Sequence, residues 1–325
     1  MYVAKKVSSL SCFFMLQVLL CLFCNGIAYS QNIQSVNADS ATFKTSNNFY
    51  KTDSIFSFHS RKGYFPSLIH NLQQQATAPI RYKAKQWIIT VAVIGITAIL
   101  INNDGTIYNR VKAQKQHYPW INKSSPFITE LGGTYGIGAT CAFGLLSAAF
   151  KNQKGVQTPI IATQAIITSG VWVHLIKQLT GRERPNPSYN SSHEGGQWHG
   201  PFAQYNQQLA KKKPGSSFNS FVSGHSATAF SIATVFASQY NHTPVVPVIS
   251  YTAATLVGLS RLIEQKHWAS DVFAGALLGY LCGKQVVKHY NKTHQNNFTS
   301  RVSKRNVKEF ALIQQGNQIG FSLRW

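Results

Sequence analysis

Between Trp87 and Gly283 long uncharged stretches alternate with short polar or basic joints. They run near 87–103, 131–150, 155–173, 215–241, 243–260 and 272–283, a pattern that predicts six α-helices. As a helix, 131–150 is about 30 Å long, enough for the hydrocarbon layer of a membrane, whereas 272–283 reaches only about 18 Å before Lys284 interrupts it. Many of the stretches are heavy in Ala, Gly, Ser and Thr. Small residues suit close helix packing in water or in lipid.

The flanks differ from this middle. Residues 31 to about 80 are rich in Ser, Asn, Gln and Thr without sustained periodicity, and read as a loosely ordered lead-in. At the other end, Ile319, Phe321, Leu323 and Trp325 alternate with Gly320, Ser322 and Arg324 after a Gln-Gly-Asn turn, which predicts a small β-hairpin packed on the helices. The expected architecture is therefore all-α, a six-helix bundle over residues 81–290, with a tail over 291–325 that carries the hairpin.

The first thirty residues have the pattern of a secretory signal. Lys5 and Lys6 precede the apolar run SCFFMLQVLLCLFC, and Ala28 and Ser30 place small residues where cleavage before Gln31 would fall. An uncleaved anchor would also target the chain to a membrane. Lys151, Lys154, Lys284, Lys288 and Lys292 argue for cytoplasmic ends at those joints. Counting crossings from a cleaved signal gives the opposite orientation, so either 87–103 does not cross or the bundle lies in the periplasm. The expected location is the inner membrane with the site facing the periplasm, the alternative being the periplasm itself.

Charge narrows the partners. The formal net charge is +22, or 22 − 2 = +20 without Lys5 and Lys6, which favours anionic partners. The basic residues are dispersed and carry no nucleic-acid-binding signature, so nucleic acid is not expected. Of five cysteines, Cys12, Cys21 and Cys24 lie in the leader. Cys141 and Cys282 sit in apolar stretches as packing residues, with no disulfide framework and no metal-ligand spacing.

Three segments at helix ends carry candidate chemistry: KQLTGRERP with Lys177 and Arg184, FNSFVSGHSATAF with Ser223, Gly224 and His225, and SRLIEQKHWASD with Arg261, His267 and Asp271. Singly, each has a plain explanation. The cations suit a membrane interface, Ser-Gly-His suits a turn entering a helix, and a His/Asp pair at i and i+4 contributes about 0.3–0.5 kcal/mol on a surface. Together they describe a phosphate site. Two guanidinium groups and an ammonium match phosphoryl oxygens, and N–H groups at a helix start add donors. One histidine can attack phosphorus while the other protonates the leaving oxygen, and Asp271 can orient His267. Fixed cations supply the electrostatics, so no metal or other cofactor is called for.

These segments resemble the three signature motifs of the type-2 phosphatidic acid phosphatase superfamily, which includes bacterial acid phosphatases and vanadium haloperoxidases. Lys177, Arg184 and Pro185 meet the first motif. Ser223, Gly224 and His225 meet the second, with Val222 where proline is usual, a change expected to cost little because it touches only loop stiffness. Ser260, Arg261, His267 and Asp271 meet the third. The resemblance implies an all-α bundle with the site at one end. It also implies His267 as nucleophile, Asp271 as its orienter, His225 as general acid, and Lys177, Arg184, Arg261, Ser223 and Gly224 as phosphate ligands. The expected function is hydrolysis of a lipid phosphate or pyrophosphate monoester through a phosphohistidine. A soluble periplasmic acid phosphatase of broad specificity, acting on small phosphate esters, and, less favoured, a vanadium-dependent haloperoxidase are the alternatives. Arg182, Glu183, Trp198 and His199 read mostly as loop residues near the substrate entrance.

Overall fold

The computed structural model describes residues 63–185, 196–206, 215–304, 309–315 and 318–324. The expected signal segment 1–30, residues 31–62 of the polar lead-in and Trp325 lie outside these. Eight α-helices are described: α1 Tyr64–Ala76, α2 Ala84–His117, α3 Pro119–Glu130, α4 Thr134–Ala149, α5 Gln153–Thr180, α6 Gly224–Gln239, α7 Val245–Ile263 and α8 Ala269–Lys304. Two compact units divide the chain at Val286 and Val287. In the second, β1 Glu309–Gln315 and β2 Gln318–Arg324 pair antiparallel, with Leu312 opposite Phe321.

Six of the eight helices overlap the six apolar stretches, with 215–241 α-helical only from Gly224, and two others lie outside them. Helix α1 falls inside the stretch read as a loose lead-in. It is held by buried amides rather than an apolar stripe: Asn71 donates to Gln164 at 3.0 Å, Gln75 donates to Gln285 at 2.9 Å, and Trp172 donates to Gln75 at 2.8 Å. Such pairs satisfy buried polar groups that a hydrophobicity scan counts as solvent-facing. Helix α3 begins on Pro119, whose missing N–H costs nothing at a first helical position. Tyr118, Trp120 and Phe127 on and beside it are exposed.

Helix α6 packs against α5 and α7, and α5 also packs on α4. The core joins Trp172, Val173 and Ile176 of α5 to Phe221 and Val222 before α6, and to Ala274, Leu278, Leu281 and Cys282 of α8. Val222 is thus a core residue, and its part is packing as well as loop stiffness. Glycines let α8 approach α6: a Cβ at Gly275 would lie 2.3 Å from the Ser223 carbonyl oxygen, and one at Gly279 would lie 2.1 Å from that of Ala227. Cys282 is buried as expected, but Cys141 is exposed on α4. Helices α2, α5 and α7 are each long and apolar enough to cross a membrane. Ile88, Val91 and Ile99 of α2 and Val245, Val248 and Ile249 of α7 are exposed.

Candidate active site

The cationic side of the site begins where α5 ends. Gly181 adopts a left-handed conformation (φ 55°), and its N–H donates to the Lys177 carbonyl at 3.2 Å. Gly tolerates that conformation, so the helix stops one turn after Lys177 and the chain turns back through Arg182 and Arg184. Arg184 Nε donates to Asn219 Oδ1 at 3.0 Å, which ties this turn to the segment before α6. Lys177, Arg184 and Arg261 lie within electrostatic reach of one another.

The second motif opens α6. Ser223 is its N-cap, its hydroxyl accepting from the Ser226 N–H at 3.4 Å. The Ser223 N–H donates to the Asp271 carbonyl at 3.0 Å, which fastens the start of α6 to the first turn of α8. His225 follows as the second residue of the helix, within its first turn. Burial first, then Arg261, lowers its pKa to about 4, with Glu130 and Glu264 acting in the opposite sense. Its Nε2 and the Glu130 Oε2 both flank Gly133.

The third motif spans the junction of α7 and α8. His267 is buried, with Nδ1 3.5 Å from Asp271 Oδ2, a contact longer than a normal hydrogen bond. Burial dominates in holding its pKa down to about 3. The contact with Asp271 opposes that, while Lys177 and Arg184 reinforce it, so the ring is neutral and its lone pair available. For Asp271 burial acts upward, but Arg182, His267 and Ser220 together bring its pKa down to about 2. Asp271 Oδ2 accepts from the Trp268 N–H at 2.9 Å and from the Ser220 hydroxyl at 2.5 Å. The first of these reaches back to the residue before the helix, as in a capping box.

The eight residues singled out from the sequence, Lys177, Arg184, Ser223, Gly224, His225, Arg261, His267 and Asp271, meet at one end of the helices. Other participants were missed. Arg261 Nη1 donates to Glu264 Oε2 at 2.8 Å, and Glu264 Oε1 accepts from the Thr129 hydroxyl at 2.6 Å, which links the third motif to α3. Arg182 and Glu183, read as loop residues, are buried. Glu183 Oε1 pairs with His199 Nε2 at 2.9 Å, and its carbonyl accepts from Trp268 Nε1 at 2.7 Å. Asp104 of α2 is buried against Arg182 at 2.6 Å. The signal that could have found these residues is scarcity. The chain has nine acidic residues, and the five whose side chains are described, Asp104, Glu130, Glu183, Glu264 and Asp271, all stand in or beside this site.

The model of the PAP2 superfamily matches residues 159–295, which hold all three motifs. That segment belongs to the PAP2 superfamily. Among curated relatives, a lipid A 1-phosphatase of Porphyromonas gingivalis is 46% identical over 71 residues, 22% of this chain and 16% of its own length. Lipid phosphate phosphatase 1 of Arabidopsis thaliana is 28% identical over 177 residues, 49% of this chain and 53% of its own. A lipid A 1-phosphatase of Rhizobium johnstonii is 31% identical over 114 residues, 35% of this chain and 40% of its own. The alignments thus span about half of these relatives or less. Two solved structures are also similar: a transmembrane PAP2-type phosphatidylglycerolphosphate phosphatase from Bacillus subtilis (TM-score 0.42, 22% identity, 62% of this chain and 96% of that one) and LpxE from Aquifex aeolicus (TM-score 0.37, 25% identity, 53% and 87%).

Proposed function

We propose that the protein is a phosphoric monoester hydrolase that acts on a lipid phosphate or pyrophosphate, with a phosphohistidine formed on His267 and the site facing the periplasm. The observation that carries this reading is the buried His267 ring, with Nδ1 3.5 Å from Asp271 Oδ2 and within electrostatic reach of Lys177 and Arg184. A cationic donor set suits an anionic substrate and would repel a metal cation, so the fixed charges themselves balance the phosphoryl oxygens.

In this reading Lys177, Arg184 and Arg261 bind the phosphoryl oxygens, with the Ser223 and Gly224 region at the start of α6 adding its dipole. The Arg261 Nε is buried and has no protein partner among the described residues, which leaves a donor for an oxygen of the substrate. His267 attacks phosphorus through Nε2, because Nδ1 faces Asp271. The P–O bond to the leaving group breaks, and protonated His225 donates its proton to the departing oxygen. His225 then takes a proton from water, which attacks the phosphohistidine. The N–P bond breaks, phosphate leaves and both rings return to their starting states. Bound phosphate favours the protonated form of His225 through its own negative charge.

A lipid substrate is supported by the apolar exposed faces of α2 and α7 beside a site at the helix ends, and by the names of the curated relatives. The test is phosphate release from phosphatidic acid, phosphatidylglycerophosphate, a polyprenyl pyrophosphate and lipid A by the purified protein in detergent. Activity on at least one, resistant to chelators, inhibited by vanadate and abolished in His267→Ala, is expected. Full activity in His267→Ala would exclude the phosphohistidine route. Halide oxidation by the vanadate-loaded protein would favour the haloperoxidase alternative instead.

A further inference from the structure

Arg182 is fully buried and holds two carboxylates at once. One guanidinium nitrogen, Nη1, donates to Asp271 Oδ1 at 2.7 Å and to the Ser270 hydroxyl at 2.6 Å, while Nη2 donates to Asp104 Oδ2 at 2.6 Å. Asp104 is equally buried, two-thirds of the way along α2, and lies outside the segment matched by the superfamily. Its Oδ1 accepts from the Ser270 N–H at 3.0 Å, and its Oδ2 accepts from the Ser270 hydroxyl as well. The rings of Trp198 and Trp268 stand 4.7 and 5.5 Å from the guanidinium.

We propose that Asp104 and Arg182 are positioning residues for the nucleophile: they fix the Asp271 carboxylate and the first turn of α8 from α2, and thereby aim His267. The proposal rests on the phosphohistidine reading of the site. Burying a three-membered ion cluster gains little stability over apolar packing, so its presence calls for a reason other than holding the fold together. The geometry supplies one. A carboxylate held by a single contact can rotate, but Asp271 is held at both oxygens, by Arg182 on Oδ1 and by Ser220 and the Trp268 N–H on Oδ2. The planar fork of an arginine allows one side chain to fix two carboxylates in set directions, which a lysine cannot do. Asp104 then prevents the fork from turning, and through Ser270 it fixes the backbone one residue before Asp271. Sharing the single Arg182 charge between two carboxylates also leaves negative charge on Asp271 to favour the cationic ring that forms as His267 takes the phosphoryl group.

The experiment compares wild type, Asp104→Asn and Ser270→Ala as full-length protein in detergent, measuring kcat and KM on the best phosphate ester, the rate of phosphohistidine formation in a single turnover, and the His267 ring by 15N NMR. Asp104→Asn is expected to lower kcat and the phosphohistidine rate together by roughly 10- to 100-fold, the range typical of partners that orient a ligating histidine, with KM within about twofold and the His267 Nδ1 resonance shifted. If Asp104→Asn fails to fold, Ser270→Ala keeps every charge and is expected to show the same pattern at smaller size. Wild-type kcat in folded Asp104→Asn, or in Ser270→Ala where Asp104→Asn does not fold, would overturn the proposal. Absence of phosphate release by wild type would instead defeat the phosphatase reading. The ring spectrum then decides the positioning role, an Nδ1 resonance unmoved in both variants overturning it.

Discussion

His225 and Glu130 show how a single residue outside the motifs adjusts the chemistry. In the proposed mechanism His225 carries a proton when the leaving group departs, yet burial, Arg261 and Lys177 all favour its neutral form, and Glu130 and Glu264 oppose them. Glu130 therefore acts to raise the pKa of His225, the proposed general acid. Replacing it by glutamine removes that contribution, so less of His225 is protonated at a given pH. The basic limb of the kcat profile is expected to move to lower pH in Glu130→Gln, with the acid limb unaffected, as a pH series on purified protein would show. An unmoved basic limb would mean that Glu130 does not act on His225. The part of Glu130 was illegible from sequence because it ends α3, far along the chain from His225, and only the fold brings the two to Gly133.

At the scale of elements, the site depends on how closely α8 lies against α6. Ser223 and Asp271 are joined by a main-chain hydrogen bond, and Gly275 sits one turn beyond Asp271 with no room for a side chain. Gly275→Ala forces the Ser223 carbonyl away. The expected cost is about 1–3 kcal/mol, the usual range for overpacking, seen as a lower thermal midpoint. Activity should fall further than stability in the remaining folded protein, since the shift moves the start of α6 relative to His267. Unchanged melting and turnover would show that α8 can slide without consequence. Among the described residues the apolar pattern located six of the eight α-helices, because burial or lipid contact is written directly into side-chain hydrophobicity. It missed α1 and α3 because the buried side of α1 is formed by Asn71 and Gln75, and α3 mixes Lys123 and Asn122 with its apolar residues.

For the whole molecule, the net charge of +22 and the exposed apolar faces of α2 and α7 concern where the protein resides and what reaches it. Apolar faces of this extent suit lipid rather than water. Activity is expected to remain with membranes after a high-salt wash and to leave only with detergent. Release by salt alone would favour the soluble alternative, with the charge rather than the helices responsible for association.

The sequence by itself determined the helical class and the three segments that carry the candidate site residues. Apolar runs specify helices through local burial preference, and Lys177, Arg184, Ser223, His225, Arg261, His267 and Asp271 lie in three short segments at helix ends, each local in sequence. Tertiary structure decided which groups hold those residues in place. Asp104 and Asp271 are 167 positions apart, and their meeting on the two sides of Arg182 depends on how α2 and α8 pack. Side-chain hydrogen bonds across such distances leave no periodic trace in a chain, since they depend on the relative placement of elements rather than on the residues within any one of them.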